Sequence, residues 1–268
     1  MTAPSTPYEV LGEMGSGPGV EDDERAAAHH VRTQLLRRVA HDIASPTGVT
    51  LTVLDELTGT DRPRPELVAM AKRSLRRLMR LSENLALVAE LETEPIVPEL
   101  APVDVRALAK QALDDAIAVD GRKDVVTTAD LPQTPLVIEG DARLLVVVFR
   151  EILGNALKLA SSRVELRVGT GDDGITLVRI DDDGPGFGEE AARTLGRRFL
   201  PRSASRGLGL SLSMAKEILG AHGAELDTMA SALPPGRRGT VGAAVVVRFG
   251  EPRHRICKPT TELRQREK

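Results

Sequence analysis

Residues Leu36, Val39, Ile43, Pro46, Thr50, Val53 and Leu57 place apolar or weakly polar side chains at alternating spacings of three and four. Such a heptad seam commits the stretch to a long helix packed lengthwise on another helix. The first helix is expected from about Glu24 to Leu57, ended by the breakers of Thr58-Gly59-Thr60-Asp61-Arg62-Pro63-Arg64-Pro65. A second is expected from about Glu66 to Leu91, with apolar positions at Leu67, Ala71, Leu75, Leu78, Leu81, Leu85, Val88 and Leu91. That stripe is wider than a two-stranded seam, and a lone antiparallel hairpin cannot bury it. Pairing two hairpins into a four-helix bundle would bury it, so a homodimer is expected.

His41 falls at the f position of the seam, farthest from the buried stripe, with Asp42 beside it. An imidazole there faces water, where another protein or domain can reach it. Pro46 lacks an N–H and its ring crowds the carbonyl of Asp42, so the helix should kink or loosen next to His41. An exposed histidine on a deformable turn suits a nucleophile. A merely solvated helix face is the other reading of the same residues.

The 268 residues allow one large domain or two small ones. A net charge of −3 makes no general demand for nucleic acid or an anionic membrane. With four Phe, one Tyr and no Trp, base-stacking platforms are not expected and the core must come from Leu, Val, Ala and Ile. The single cysteine, Cys257, excludes an intrachain disulfide framework and fits a reducing cytoplasm. No segment reaches membrane-span length and no signal-peptide pattern is present, so a soluble cytoplasmic protein without direct membrane insertion is expected. Too little chain remains for a sensor domain, and sensing is expected to come from a separate partner protein.

Residues 1–24, rich in Gly, Pro, Ser and acidic groups, read as a disordered lead-in, 94–100 as a linker, and 251–268 as a flexible basic tail. From 101 to 250 the pattern is mixed α/β. Helices are expected at about 103–119, 141–160 and 207–219, with strands near 124–129, 136–139, 164–168, 175–180, 225–229 and 240–249.

Three motifs in this part carry chemistry. Asp181-Asp182-Asp183-Gly184-Pro185-Gly186-Phe187 follows an apolar strand; glycines two apart admit close backbone approach and a carboxylate can accept from an exocyclic amine. A polar turn is the alternative, and a calcium loop is disfavoured by its spacing. Glu151, Asn155 and Lys158 lie on one helix face, a set of oxygen donors and an ammonium suited to Mg²⁺ and phosphates. An ordinary surface stripe explains the charges but not a mid-helix asparagine. Gly207, Leu208 and Gly209 open a helix, where free N–H groups suit phosphate. Gly239-Thr240 before the last strand is compatible with a simple turn.

In this order the motifs resemble those of bacterial two-component sensor histidine kinases, over about residues 30–250. His41 to Pro46 is similar to the H box, Glu151 to Lys158 to the N box, Asp182 to Gly186 and Gly207 to Leu210 to the two glycine boxes. Phe199 is similar to the F-box aromatic and Gly239-Thr240 to the last glycine motif. The resemblance implies an α plus α/β architecture: a dimerisation and phosphotransfer hairpin over 25–93, forming a dimeric four-helix bundle, and an α/β sandwich ATP-binding domain over 101–250. It further implies that ATP and Mg²⁺ are used, that His41 is the phosphoacceptor and Asp42 its proton acceptor, and that Asn155 holds Mg²⁺ with Glu151 near it. Lys158 would touch phosphate, Asp182 the adenine amine, and Gly184 and Gly186 would let the backbone close on it. Gly207, Leu208 and Gly209 would hinge the lid, with Phe199 and Thr240 in the same site. The phosphoryl group would pass to a response-regulator receiver domain, and Ser45 could orient water for dephosphorylating it. Glu151 stands where the family more often has asparagine, Ser205 replaces a lid glycine, and the segment between Phe199 and Gly207 is short. The second reading is a phosphotransfer or docking protein whose His41 is loaded by another kinase.

Overall fold

The computed structural model describes residues 18–58, 64–93, 95–187, 211–237 and 239–250. Helix α1 (Pro18–Thr58) and helix α2 (Pro65–Thr93) form the expected hairpin, joined by a short connection and packed on each other. Both begin on a proline, whose fixed φ and missing N–H suit the first helical position. That explains why α1 starts at Pro18, inside the segment expected to be disordered. The helix runs through Pro46 without interruption.

Beyond the hairpin come β1 (Ala101–Asp104), α3 (Val105–Asp120), β2 (Val126–Asp130), β3 (Val137–Gly140), α4 (Ala142–Leu159), β4 (Arg163–Thr170), β5 (Thr176–Asp182), α5 (Ser211–Ala221), β6 (Ala224–Ala230) and β7 (Ala243–Phe249). Five strands form one mixed sheet in the order β2-β4-β5-β7-β6, parallel only between β2 and β4. Strands β1 and β3 make a separate antiparallel pair. The sequence reading missed β1, whose four residues are too few to show a period.

In β4, Val164, Leu166 and Val168 are buried while Arg163, Glu165 and Arg167 alternate with them. One sheet face therefore packs on helices and the other meets solvent. The helical layer fills the core with Leu108, Leu113, Leu145, Phe149, Ile152, Leu153, Ile218 and Leu219. Phe149 and Phe249 meet edge to face, centroids 6.3 Å apart, joining α4 to β7.

Two aspartates set the helix entries. Asp104 caps α3 by accepting from Arg106 N, and its Oδ1 also accepts from Leu136 N (3.2 Å). Asp141 caps α4 through Arg143 N and Leu144 N, while its second oxygen accepts from Glu99 N. Each cap thus also anchors a neighbouring segment, which fixes the axis of α4 and with it the residues Glu151 to Lys158.

Candidate active site

On α1 the His41 side chain is 80% exposed, and its Nδ1 lies 3.3 Å from Asp42 Oδ1. Ser45 is exposed and Pro46 is buried. Pro46 withholds the N–H that would bond the Asp42 carbonyl, while Thr47 and Thr50 turn their hydroxyls back onto the carbonyls of Ile43 and Pro46. His41 thus stands exposed beside Asp42, near a turn from which Pro46 removes one backbone hydrogen bond while the helix continues.

The three consecutive aspartates at the end of β5 have three different fates. Asp181 is fully buried, takes both arms of Arg179 (2.7 and 2.8 Å) and accepts from Ser231 Oγ and Ala232 N. Burial works to raise its carboxyl, but the arginine and these bonds hold it below the ordinary range. Asp183 Oδ1 accepts from the N–H groups of Ser161, Ser162 and Arg163, and Oδ2 from Ser162 Oγ. It clamps the exit of α4 onto the start of β4, and those bonds outweigh burial to keep it ionised. Among the described residues, Asp182 is held by backbone N–H groups alone, from Gly184 (2.8 Å) and Ala243. Burial pushes its carboxyl up to about 6, with the charges of Asp183 and Asp181 adding to the rise. A buried carboxylate with no cationic partner among the described residues has unspent capacity to accept a hydrogen bond.

The glycines after it are required by packing. A Cβ on Gly184 would come within 2.5 Å of the Leu159 carbonyl oxygen. Gly186 has φ +73, and its Cβ would come within 2.5 Å of Val241 O. Thr240 Oγ1 donates to Gly184 O (3.0 Å), so Thr240 secures the same turn. The turn is therefore pressed between the end of α4 and the entry to β7, next to Asp182.

On α4, Glu151, Asn155 and Lys158 share one side of the helix. Glu151 is buried, and its partner comes from the hairpin: Arg80 Nε donates to Oε1 at 2.6 Å, and Asn84 adds a second bond. Burial tends to raise this carboxyl, yet the Arg80 charge and these bonds bring it below the ordinary glutamate value. Arg80 also donates to Asp120 Oδ2 (2.5 Å) and to the Arg150 carbonyl (2.7 Å). Asp120 Oδ1 lies 3.5 Å from Lys158 Nζ. The carboxylate expected near a metal ion is thus committed to an arginine of α2. Phe199, Gly207, Leu208 and Gly209 lie outside the described residues.

Sequence reasoning missed Arg80, Asn84, Asp120 and Gly154. Arg80 belongs to a run with Arg73, Arg76 and Arg77 that reads as a solvated face. A mid-helix asparagine and an isolated helical glycine were the available signals at Asn84 and Gly154.

Residues 140–253 match the family described as histidine kinase-, DNA gyrase B-, and HSP90-like ATPase. The chain is 29% identical over 206 residues to the swarming motility regulation sensor protein RssA of Serratia marcescens, covering 75% of this chain and 44% of that protein. It is 29% identical over 257 residues to the probable sensor histidine kinase TcrY of Mycobacterium tuberculosis, covering 85% and 50%. It is 30% identical to the signal transduction histidine-protein kinase AfsQ2 of Streptomyces coelicolor, covering 76% and 41%. Over most of its length the chain is similar to bacterial sensor histidine kinases. It spans about half the length, or less, of these relatives. Full-length ShkA, crystallised with AMPPNP, aligns over 81% of this chain and 45% of that one with a TM-score of 0.51 at 21% identity, a likeness of fold alone. A helical hairpin followed by an α/β sandwich is the architecture of this chain. No helix among the described residues is long and apolar enough to cross a membrane.

Proposed function

We propose that the chain is an ATP-dependent protein histidine kinase that phosphorylates His41 and passes the phosphoryl group to an aspartate of a response-regulator receiver domain. The observation that supports this best is the conjunction, in one chain, of a solvent-facing His41 bonded to Asp42 with an ATPase-family unit whose buried Asp182 carboxylate takes backbone N–H donors and has no side-chain donor among the described residues.

With Nδ1 protonated and donating to Asp42, Nε2 carries the lone pair and is the nucleophile. Nε2 bonds the γ-phosphorus as the bond to the β,γ-bridging oxygen breaks, and ADP leaves with that electron pair. The positive charge on the ring is offset by Asp42, which takes the Nδ1 proton. An aspartate of the receiver domain then attacks phosphorus and the P–N bond breaks. Asp182 accepts from the adenine amine, and Lys158 offsets phosphate charge. No cluster of three or more His, Cys, Asp or Glu side chains among the described residues could hold a metal by itself. An amide oxygen of Asn155 together with phosphate oxygens matches what Mg²⁺ accepts, so the ion fits as one carried in with the nucleotide. Bound there, Mg²⁺ would neutralise charge on the transferring phosphates.

Exposed Ile43, Leu51, Leu54, Leu75 and Met79 leave an apolar surface on the hairpin, which supports a homodimer through a four-helix bundle. Ser45, exposed and one turn after His41, would orient water for dephosphorylation of the regulator. Incubation with γ-labelled ATP and Mg²⁺ tests the reading. Acid-labile label is expected on the wild type and not on His41→Gln or Asn155→Ala. A folded wild-type protein that acquires none would overturn it and favour a phosphotransfer protein loaded by another kinase.

A further inference from the structure

We propose that Asp181 is a positioning residue for nucleotide recognition: through the loop between β6 and β7 it sets the place of Asp182, and so fixes the preference of the site for a base that carries an exocyclic amine. The proposal rests on the reading of Asp182 as the acceptor of that amine, and adds to it the group that holds the acceptor still.

Neighbouring residues of a strand point to opposite faces of its sheet. Asp182 stands opposite Val164, on the face packed against the helices, whereas Asp181 stands opposite Glu165 and Ala244 on the other face. That second face meets solvent along β4, yet the Asp181 side chain is fully buried there. What covers it is the start of the β6–β7 loop. Ser231 Oγ (3.0 Å) and Ala232 N (2.9 Å) both donate to Asp181 Oδ1, and the Ser231 hydroxyl in turn accepts from Leu233 N (3.2 Å). Arg179 supplies the counter-charge through two bonds, so the carboxylate is buried in its ionised form. A buried ion pair contributes little net stability. This one gives the loop a fixed place.

The far end of the same loop reaches the nucleotide site. Ala243 N donates to the Asp182 carboxylate, and Thr240 Oγ1 donates to Gly184 O (3.0 Å). Ser231 N donates to Gly242 O (3.0 Å), which ties the two ends of the loop to each other. A Cβ on Gly242 would strike the Asp182 carbonyl, and one on Gly236 the Asp183 carbonyl, so the loop lies directly on the aspartate run. Pro234 and Pro235 restrict the backbone between these contacts. The loop is therefore a clasp around the end of β5, gripping Asp181 with its first residues and Asp182 from the residue that follows it. Slack at Asp181 would pass to the Ala243 N–H that aims the Asp182 carboxylate. By charge alone Asp181 works the other way, since it adds to the rise of the Asp182 carboxyl, and its removal would favour the ionised acceptor.

The test uses the full chain with ADP and with IDP, each with Mg²⁺, in calorimetry at pH 8. IDP keeps the phosphates and the fused rings of ADP but has a carbonyl oxygen where ADP has the amine. The wild type is expected to bind ADP the more tightly. Ser231→Ala and Asp181→Ala should each weaken ADP about tenfold and leave IDP unchanged. Ser231→Thr, which keeps the hydroxyl, should keep the wild-type ratio. Ser231→Ala alters no charge, and it carries the test if Asp181→Ala does not fold. Equal losses for ADP and IDP would reduce the clasp to a structural role and overturn the proposal. An ADP affinity that is unchanged, or raised in Asp181→Ala as the charge effect requires, overturns it as well and leaves the reading of Asp182 standing. A wild type that binds ADP and IDP alike overturns that reading and the proposal together. Label at His41 reports on the kinase reading separately.

Discussion

At the scale of single residues, neighbouring carboxylates of identical chemistry are given separate work by what surrounds them. Asp181 and Asp183 are consumed by the fold, one by Arg179 and the loop after β6, the other by the backbone N–H groups that open β4. Asp182 is buried, has backbone donors alone among the described residues, and its carboxyl is pushed up to about 6. Its ionised form costs stability: the folded value lies above the unfolded one of 3.8, so the stability it contributes is full below about pH 4 and lost as pH rises through 6. Asp182→Asn should therefore stabilise the nucleotide-free protein by about 1–2 kcal/mol at pH 7.5, a part of the shift being offset by a poorer fit to the two N–H donors. The gain should vanish near pH 4, and ATP binding should be lost at every pH. Thermal melts at the two pH values check this; a variant less stable than wild type at pH 7.5 would refute the assignment.

Among the elements, α1 carries its own weak point. An interior proline costs a helix about 3 kcal/mol, here placed one turn from His41. Pro46→Ala returns an N–H for the Asp42 carbonyl, while giving up a buried ring. The expected result is a local gain of about 1–2 kcal/mol, seen as slower amide exchange over residues 43–47. Unchanged exchange there would mean that the turn is not loosened by the proline. Element α4 shows the opposite economy, since one helix supplies core from Leu145, Phe149 and Leu153 and presents Glu151, Asn155 and Lys158 on another side. Both helices were readable from periodicity because each is long, and both faces of α4 follow from a 3.6-residue repeat.

At the scale of the whole molecule, the wide stripe of α2 turns out to have two destinations. Val88 of the stripe, with its neighbour Leu87, packs on the α/β unit, while Leu75 of the stripe, and with it Met79, Leu51 and Leu54, remain exposed. Docking of the α/β unit thus accounts for part of the width from which a dimer was inferred, and the exposed remainder is the surface that supports the proposed second copy. Leu54→Glu would place a charge in that remaining surface and should convert a dimer to a monomer in sedimentation equilibrium. A species of unchanged mass would remove the hairpin as the dimer contact.

The helical hairpin, the α/β order that follows it and the positions of His41, Asn155 and Asp182 were legible in the amino-acid sequence. Heptad spacing, a mid-helix asparagine and glycines two apart are local patterns, and local patterns survive without a third dimension. Which aspartate of three is left for a ligand depends on Ser231 and Ser162, both distant along the chain, and on Arg179, two residues before Asp181 on the same strand face. The commitment of Glu151 to Arg80 joins residues 71 positions apart. A basic helix face reads the same whether it meets water or a buried pair of carboxylates, because charge alone carries no address. Only the packing of α2 against α3 and α4, with Gly154 clearing the space, brought that arginine and those carboxylates together.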